Sequence, residues 1–70
     1  MKLITKMTAL KVGDKIYAPV LDKYFIIKEY GYSDIYKDYN ANLIPSKENP
    51  EEHGFTINLE SIIKLGYYSM

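Results

Sequence analysis

The side chains able to do acid–base or metal chemistry are few. His53 is the only histidine and follows Glu51 and Glu52, a cluster that invites a metal or proton-transfer reading. Without cysteine or a second histidine, the chain has no Cys–His nucleophile pair and no two-histidine metal site. A solvated loop histidine is the simpler reading. Asp34 and Asp38, four residues apart, have the types needed for a general acid and base. A charged surface throws up such pairs by chance, and nothing beside them promises a cleft. Asp34, Asp38, Asn40 and Asn42 also have a calcium-loop flavour. Counted from Asp38, however, Leu43 and Asn49 stand where an EF-hand needs its glycine and its glutamate. Gly13, Gly31, Gly54 and Gly66 are isolated, so no glycine-rich phosphate loop exists. We therefore expect a non-enzymatic protein without a cofactor or metal.

The unusual chemistry lies in the eight tyrosines. They are too many for the core of so small a domain, so several must be at least half exposed. From Tyr30 to Tyr39 the chain reads Tyr-Gly-Tyr-Ser-Asp-Ile-Tyr-Lys-Asp-Tyr. Paratopes use this mixture, because tyrosine offers a large rigid contact area with a polar tip at small entropic cost. Tyr30, Tyr32, Asp34, Tyr36, Asp38 and Tyr39 form the candidate partner-binding set, with Tyr17, Tyr67 and Tyr68 as its extension. Three readings stand, in order of weight. Codon bias alone could supply the rings, which would then cover sheet faces. They could form a protein interface. They could stack on single-stranded nucleic acid, with Lys28 and Lys37 on phosphates. Zero net charge and the nearby Glu29, Asp34 and Asp38 weigh against the third and suit a basic patch on a protein partner.

Seventy residues make one domain near the lower limit for a single core. No disulfide can support it, and no apolar run has the length of a signal peptide or a membrane span. A cytoplasmic protein is the expectation. Phe, Tyr, Met, Ile, Asn and Lys make up 35 of the 70 residues, against 10 for Gly, Ala, Arg and Pro, and arginine is absent. That balance follows A/T-rich codons, which points to a low-G/C Gram-positive bacterium, or to a phage or plasmid living in one.

The elements that must position these side chains read mostly as strands. Phe55, Ile57 and Leu59 alternate with Thr56 and Asn58, the period of a strand with one buried face. Glu60-Ser61 then leads into Ile62, Ile63 and Leu65, read as a single 3₁₀ turn before a closing strand at 65–68. Upstream, Leu10 and Val12 are expected to point inward, and Gly13-Asp14 turns the chain into a strand at 15–20. Leu21-Asp22-Lys23 makes the next turn. Tyr24–Tyr30 is the strongest strand, with Phe25 and Ile27 on one face and Gly31–Asp34 turning the chain afterwards. Residues 1–12 suit a short helix or an edge strand. Residues 34–43 are read as a strand running into Leu43-Ile44, the alternative being a helix capped by Ser33 and ended by Pro45. Pro45–His53 is a polar, exposed loop. The expected core is Phe25, Ile27, Leu43, Phe55, Ile57, Leu59 and Ile62.

Leu-Lys-Val-Gly-Asp-Lys-Ile-Tyr at 10–17 and Gly-Phe-Thr-Ile-Asn-Leu-Glu-Ser-Ile-Ile-Lys at 54–64 resemble the two ends of small SH3-like barrel proteins of phages, prophages and mobile elements in Gram-positive bacteria. The expected fold is thus all-β, a small five-stranded SH3-like barrel with a 3₁₀ turn before the last strand. A helix over residues 34–43 would make it α+β instead. The resemblance implies a module that binds a host protein, a nucleic-acid-binding one among the candidates, and blocks or modulates it. Direct binding of nucleic acid and self-association as a homodimer are the alternatives. No membrane role is expected.

Overall fold

The computed structural model describes all 70 residues, Met1–Met70. Six strands, β1 (Lys2–Leu3), β2 (Lys15–Ala18), β3 (Lys23–Ser33), β4 (Asp38–Pro45), β5 (Phe55–Asn58) and β6 (Tyr68–Ser69), form one antiparallel sheet. Their order is β1-β6-β2-β3-β4-β5, and the one helix, α1 (Leu59–Lys64), lies between β5 and β6. The fold is therefore all-β. The alternative helix over 34–43 is overturned: residues 34–37 are a turn, and 38–45 are paired to β3. Tyr favours a pleated sheet whereas Asn favours neither helix nor strand, and the long ladder with β3 decides for the strand.

One face of the sheet is buried. Ile16 and Ala18 on β2, Phe25 and Ile27 on β3, and Ala41 and Leu43 on β4 are all fully enclosed. Ile4, Leu10, Ile62 and Tyr67 cover them from the other side. Phe25 meets Phe55 edge to face, ring centroids 5.0 Å apart. Of the expected core, Phe25, Ile27, Leu43 and Ile62 are buried, whereas Phe55, Ile57 and Leu59 are half-buried and pack against the rim. Strand β5 is the sheet's outer edge, so its inward side chains are covered on one flank only. Val12, expected inward, is exposed because the chain is already turning at Val12-Gly13.

The expected 3₁₀ turn is instead a six-residue α-helix, and its ends explain why. Asn58 accepts a hydrogen bond from the Ser61 amide at 2.8 Å, the geometry of an N-cap. At the other end Gly66 adopts φ +72, a conformation that costs glycine nothing. The Gly66 amide donates to the Ile63 carbonyl and the Tyr67 amide to the Ile62 carbonyl, which is a Schellman stop. The chain reverses there, Tyr67 drops into the core, and β6 slides between β1 and β2.

The loop after β4 is anchored, contrary to the expectation of a fully exposed segment. The Asn49 side chain accepts from the Tyr24 amide and donates to the Tyr24 carbonyl, both at 2.9 Å. Ser46 is buried, and its hydroxyl donates to Glu48, which also pairs with Lys15 across the fold. Gly54 then brings the chain back against β4. A Cβ there would sit 2.5 Å from the Leu43 carbonyl oxygen.

Gly54→Ala should therefore lower stability by about 1–3 kcal/mol, because the obstacle is main chain and cannot swing aside. Urea denaturation would measure it. The Lys15 ammonium, then the Ser46 hydroxyl, hold the Glu48 carboxyl down at about 2, below its ordinary 4.5. Because the folded value is the lower one, this contribution is complete above about pH 4.5 and is lost as pH falls toward 2. Glu48→Gln should flatten the dependence of melting temperature on pH across that window.

Candidate functional site

The tyrosine segment becomes the far half of the β3–β4 hairpin, not a turn at Gly31–Asp34 as expected. The two strands pair from Phe25–Pro45 to Ser33–Asp38, with one irregularity between Ile27 and Glu29 that leaves Lys28 as an extra residue. The bulge changes which face the side chains take. Tyr30 stands opposite the buried Ala41, and Tyr32 stands opposite Tyr39. Phe25, Ile27, Tyr30 and Tyr32 thus line up on one face despite their odd and even numbers. Tyr30 and Tyr39 stack with centroids 5.2 Å apart, and Tyr32 meets Tyr39 edge-on at 5.3 Å. Burial, then the neighbouring Tyr39 and Asp38, raises the Tyr30 hydroxyl above its ordinary value.

At the tip, the Lys37 amide donates to the Ser33 carbonyl at 2.8 Å and the Tyr36 amide to the Ser33 hydroxyl at 3.3 Å. Lys37 takes φ +57 to close the turn. This conformation presents Ile35, 85% exposed, and Tyr36, 71% exposed, to solvent beside Tyr32 at 54%. No family model, curated protein or solved structure matches this chain. The site is therefore read from its own geometry.

The six candidate residues divide. Tyr32, Tyr36 and Tyr39 present open ring surface, and Asp34 is exposed at the turn. Tyr30 is half-buried and rests on the core, where it supports Tyr39. Asp38 is committed elsewhere: one carboxylate oxygen accepts from the Tyr39 amide at 2.8 Å and the other from the Glu60 amide at 2.9 Å. The second bond satisfies a free N–H in the first turn of α1, so Asp38 ties the hairpin to the helix. These amides are neutral, so Asp38 keeps its charge, and with Asp34 and Lys37 the turn is net acidic.

The proposed extension fares differently. Tyr67 is 2% exposed, and burial raises its hydroxyl above the ordinary value. Tyr17 and Tyr68 pair with each other, and Tyr17 also pairs with Tyr24, forming a row on the outer face of β6, β2 and β3. The Tyr17 hydroxyl donates to Asp22 at 2.5 Å, and this bond raises its pKa. Lys15 lies 4.9 Å from the Tyr24 ring centroid. Sequence reasoning missed Ile35 as a site residue. The preceding Ser33-Asp34, both turn formers, were the available signal.

These placements predict three separable stability effects by chemical denaturation. Tyr67→Ala should cost about 3–5 kcal/mol, as for a large buried aromatic side chain. Asp38→Ala should cost about 0.5–2 kcal/mol through the lost cap. Tyr36→Ala should stay within about 0.5 kcal/mol.

Proposed function

We propose that this chain is a non-enzymatic protein-binding module, built as a small SH3-like barrel and used by a phage or mobile element to bind and block a protein of its bacterial host. Two features support the barrel. Five strands run in the order β6-β2-β3-β4-β5, and the chain enters β6 directly from a short helical segment, as such barrels end. The phage or mobile-element origin rests on the resemblance at 10–17 and 54–64 and on the A/T-rich composition.

The observation that carries the binding reading is the hairpin tip. Tyr32, Ile35 and Tyr36 are each exposed, within five residues of one another, at the end of an eleven-residue strand and its turn. Apolar and aromatic groups gathered on one projection form a contact surface, and tyrosine is enriched at interface hot spots. Rings and an isoleucine beside Asp34 and Asp38 suit a partner surface that offers an apolar pocket with a basic rim. The mechanism is occlusion: the rigid hairpin fills a functional pocket or groove on the partner.

Affinity capture from a lysate of a low-G/C Gram-positive host, with nuclease present, tests this. The wild type should retain one stoichiometric protein, and the Tyr32→Ala/Tyr36→Ala variant should lose it while melting within a few degrees of wild type. Partners that vanish on nuclease treatment would instead favour nucleic-acid binding. Capture undiminished by the double variant would remove the hairpin tip from the site.

A further inference from the structure

A second site, which shares Tyr36 with the hairpin tip, lies between the hairpin turn and α1. A cleft of about 330 Å³ opens between the hairpin turn and α1, with Lys6, Lys37 and Lys64 among its lining residues. None of these lysines has a carboxylate within ion-pair distance, whereas Lys11, Lys15 and Lys23 are each paired. Half of the unpaired lysines of a neutral protein therefore line one concavity. Two carboxylates share it. Asp38 keeps its charge while its oxygens accept main-chain amides, so the cleft sets three lysines against the two carboxylates, a net positive charge of one. The first-turn amides of Glu60 and Ser61 are capped by Asp38 and Asn58, so the lysines alone supply the positive charge.

Tyr36 and Asn58 line this cleft and also a neighbouring groove of about 300 Å³ that includes Asn40 and Thr56. The cation-rich cleft thus adjoins a groove offering an open aromatic face, two side-chain amides and a hydroxyl. We propose that the two together bind a nucleoside phosphate, free or within a single strand. The phosphate lies among Lys6, Lys37 and Lys64, and the base stacks on Tyr36 with its edge toward Asn40 and Thr56. Lys37 holds a left-handed conformation in which asparagine is favoured over lysine. A lysine at that position supplies charge to the cleft where a better turn former would not.

Amide chemical-shift mapping by NMR with ATP, pyrophosphate, adenosine and an oligothymidine tests the proposal. ATP should give saturable shifts confined to residues 6, 36–38, 40, 56–60 and 64, with pyrophosphate weaker and adenosine weaker still. Tighter binding of oligothymidine than of ATP assigns the source to a nucleic-acid strand, and the reverse assigns it to a free nucleotide. Lys37→Asn should weaken ATP binding about two- to fivefold while leaving the melting temperature unchanged or higher, and Lys64→Gln should weaken it similarly. Glu60→Gln should tighten it. Scattered or unsaturable shifts, equal binding of pyrophosphate and ATP, or affinities unmoved by these substitutions would overturn the proposal.

Discussion

Lys28 is the residue on which the arrangement of this molecule turns. Strand β3 has to serve the core at one end and build a projecting hairpin at the other, and a strictly alternating strand would turn Tyr30 and Tyr32 away from the face of Phe25 and Ile27. With Lys28 bulged out, Ile27 pairs with Leu43 and Glu29 with Asn42, so the inward phase passes from odd to even positions. The bulge falls where the turn before β2 takes over from its ladder. Gly13 donates to the Ile27 carbonyl at 2.8 Å, and Ile27 donates to the Asp14 carbonyl at 2.9 Å. Main-chain bonds thus fix Ile27 from one flank while the β3–β4 register shifts on the other. The aromatic surface of the hairpin is a continuation of the core face made possible by one extra residue.

The far side of the core depends on a second local device. The Asn58 cap and the Gly66 stop make α1 just long enough to lay Ile62 on the sheet and bring Tyr67 in behind it. The Tyr67 carbonyl then accepts from the Ile4 amide at 3.0 Å, and β6 pairs with both β1 and β2. Asp38 connects the two devices, since it belongs to the hairpin and satisfies an amide of the helix. The hairpin tip is therefore held by the body of the protein through one side chain as well as through its own ladder. For the occluding surface we propose, such rigidity would lower the entropy lost on binding.

Much of this was legible in the residues. The strand through Phe55 and Ile57, the strand at 24–30 and the inward Phe25 and Ile27 followed from alternation, whereas Leu59, read as strand, begins α1. The bulge did not, because Lys28 looks like any solvent-facing strand residue, and the register shift is set by pairing with a distant strand. With the shift hidden, Gly31 read as a turn and the face of Tyr30 and Tyr32 was undetermined. Ala18 and Ala41 escaped the expected core because small side chains carry little hydrophobic signal, although a tightly packed sheet interior needs them. Of the candidate site, the tyrosine-rich stretch was visible as composition. The division of labour within it was not, since Asp38 acquires its role only from an amide 22 positions away.

The register shift at Lys28 sets the face of the hairpin that carries Tyr30 and Tyr32. Cross-strand proton NOEs between β3 and β4 test it most directly. The account predicts contacts pairing Ile27 with Leu43, Glu29 with Asn42, Tyr30 with Ala41 and Tyr32 with Tyr39, together with ring contacts from Tyr30 to Tyr39. A continuous register, with Lys28 opposite Asn42 and Tyr30 opposite Asn40, would turn Tyr30 and Tyr32 to the other face and contradict it.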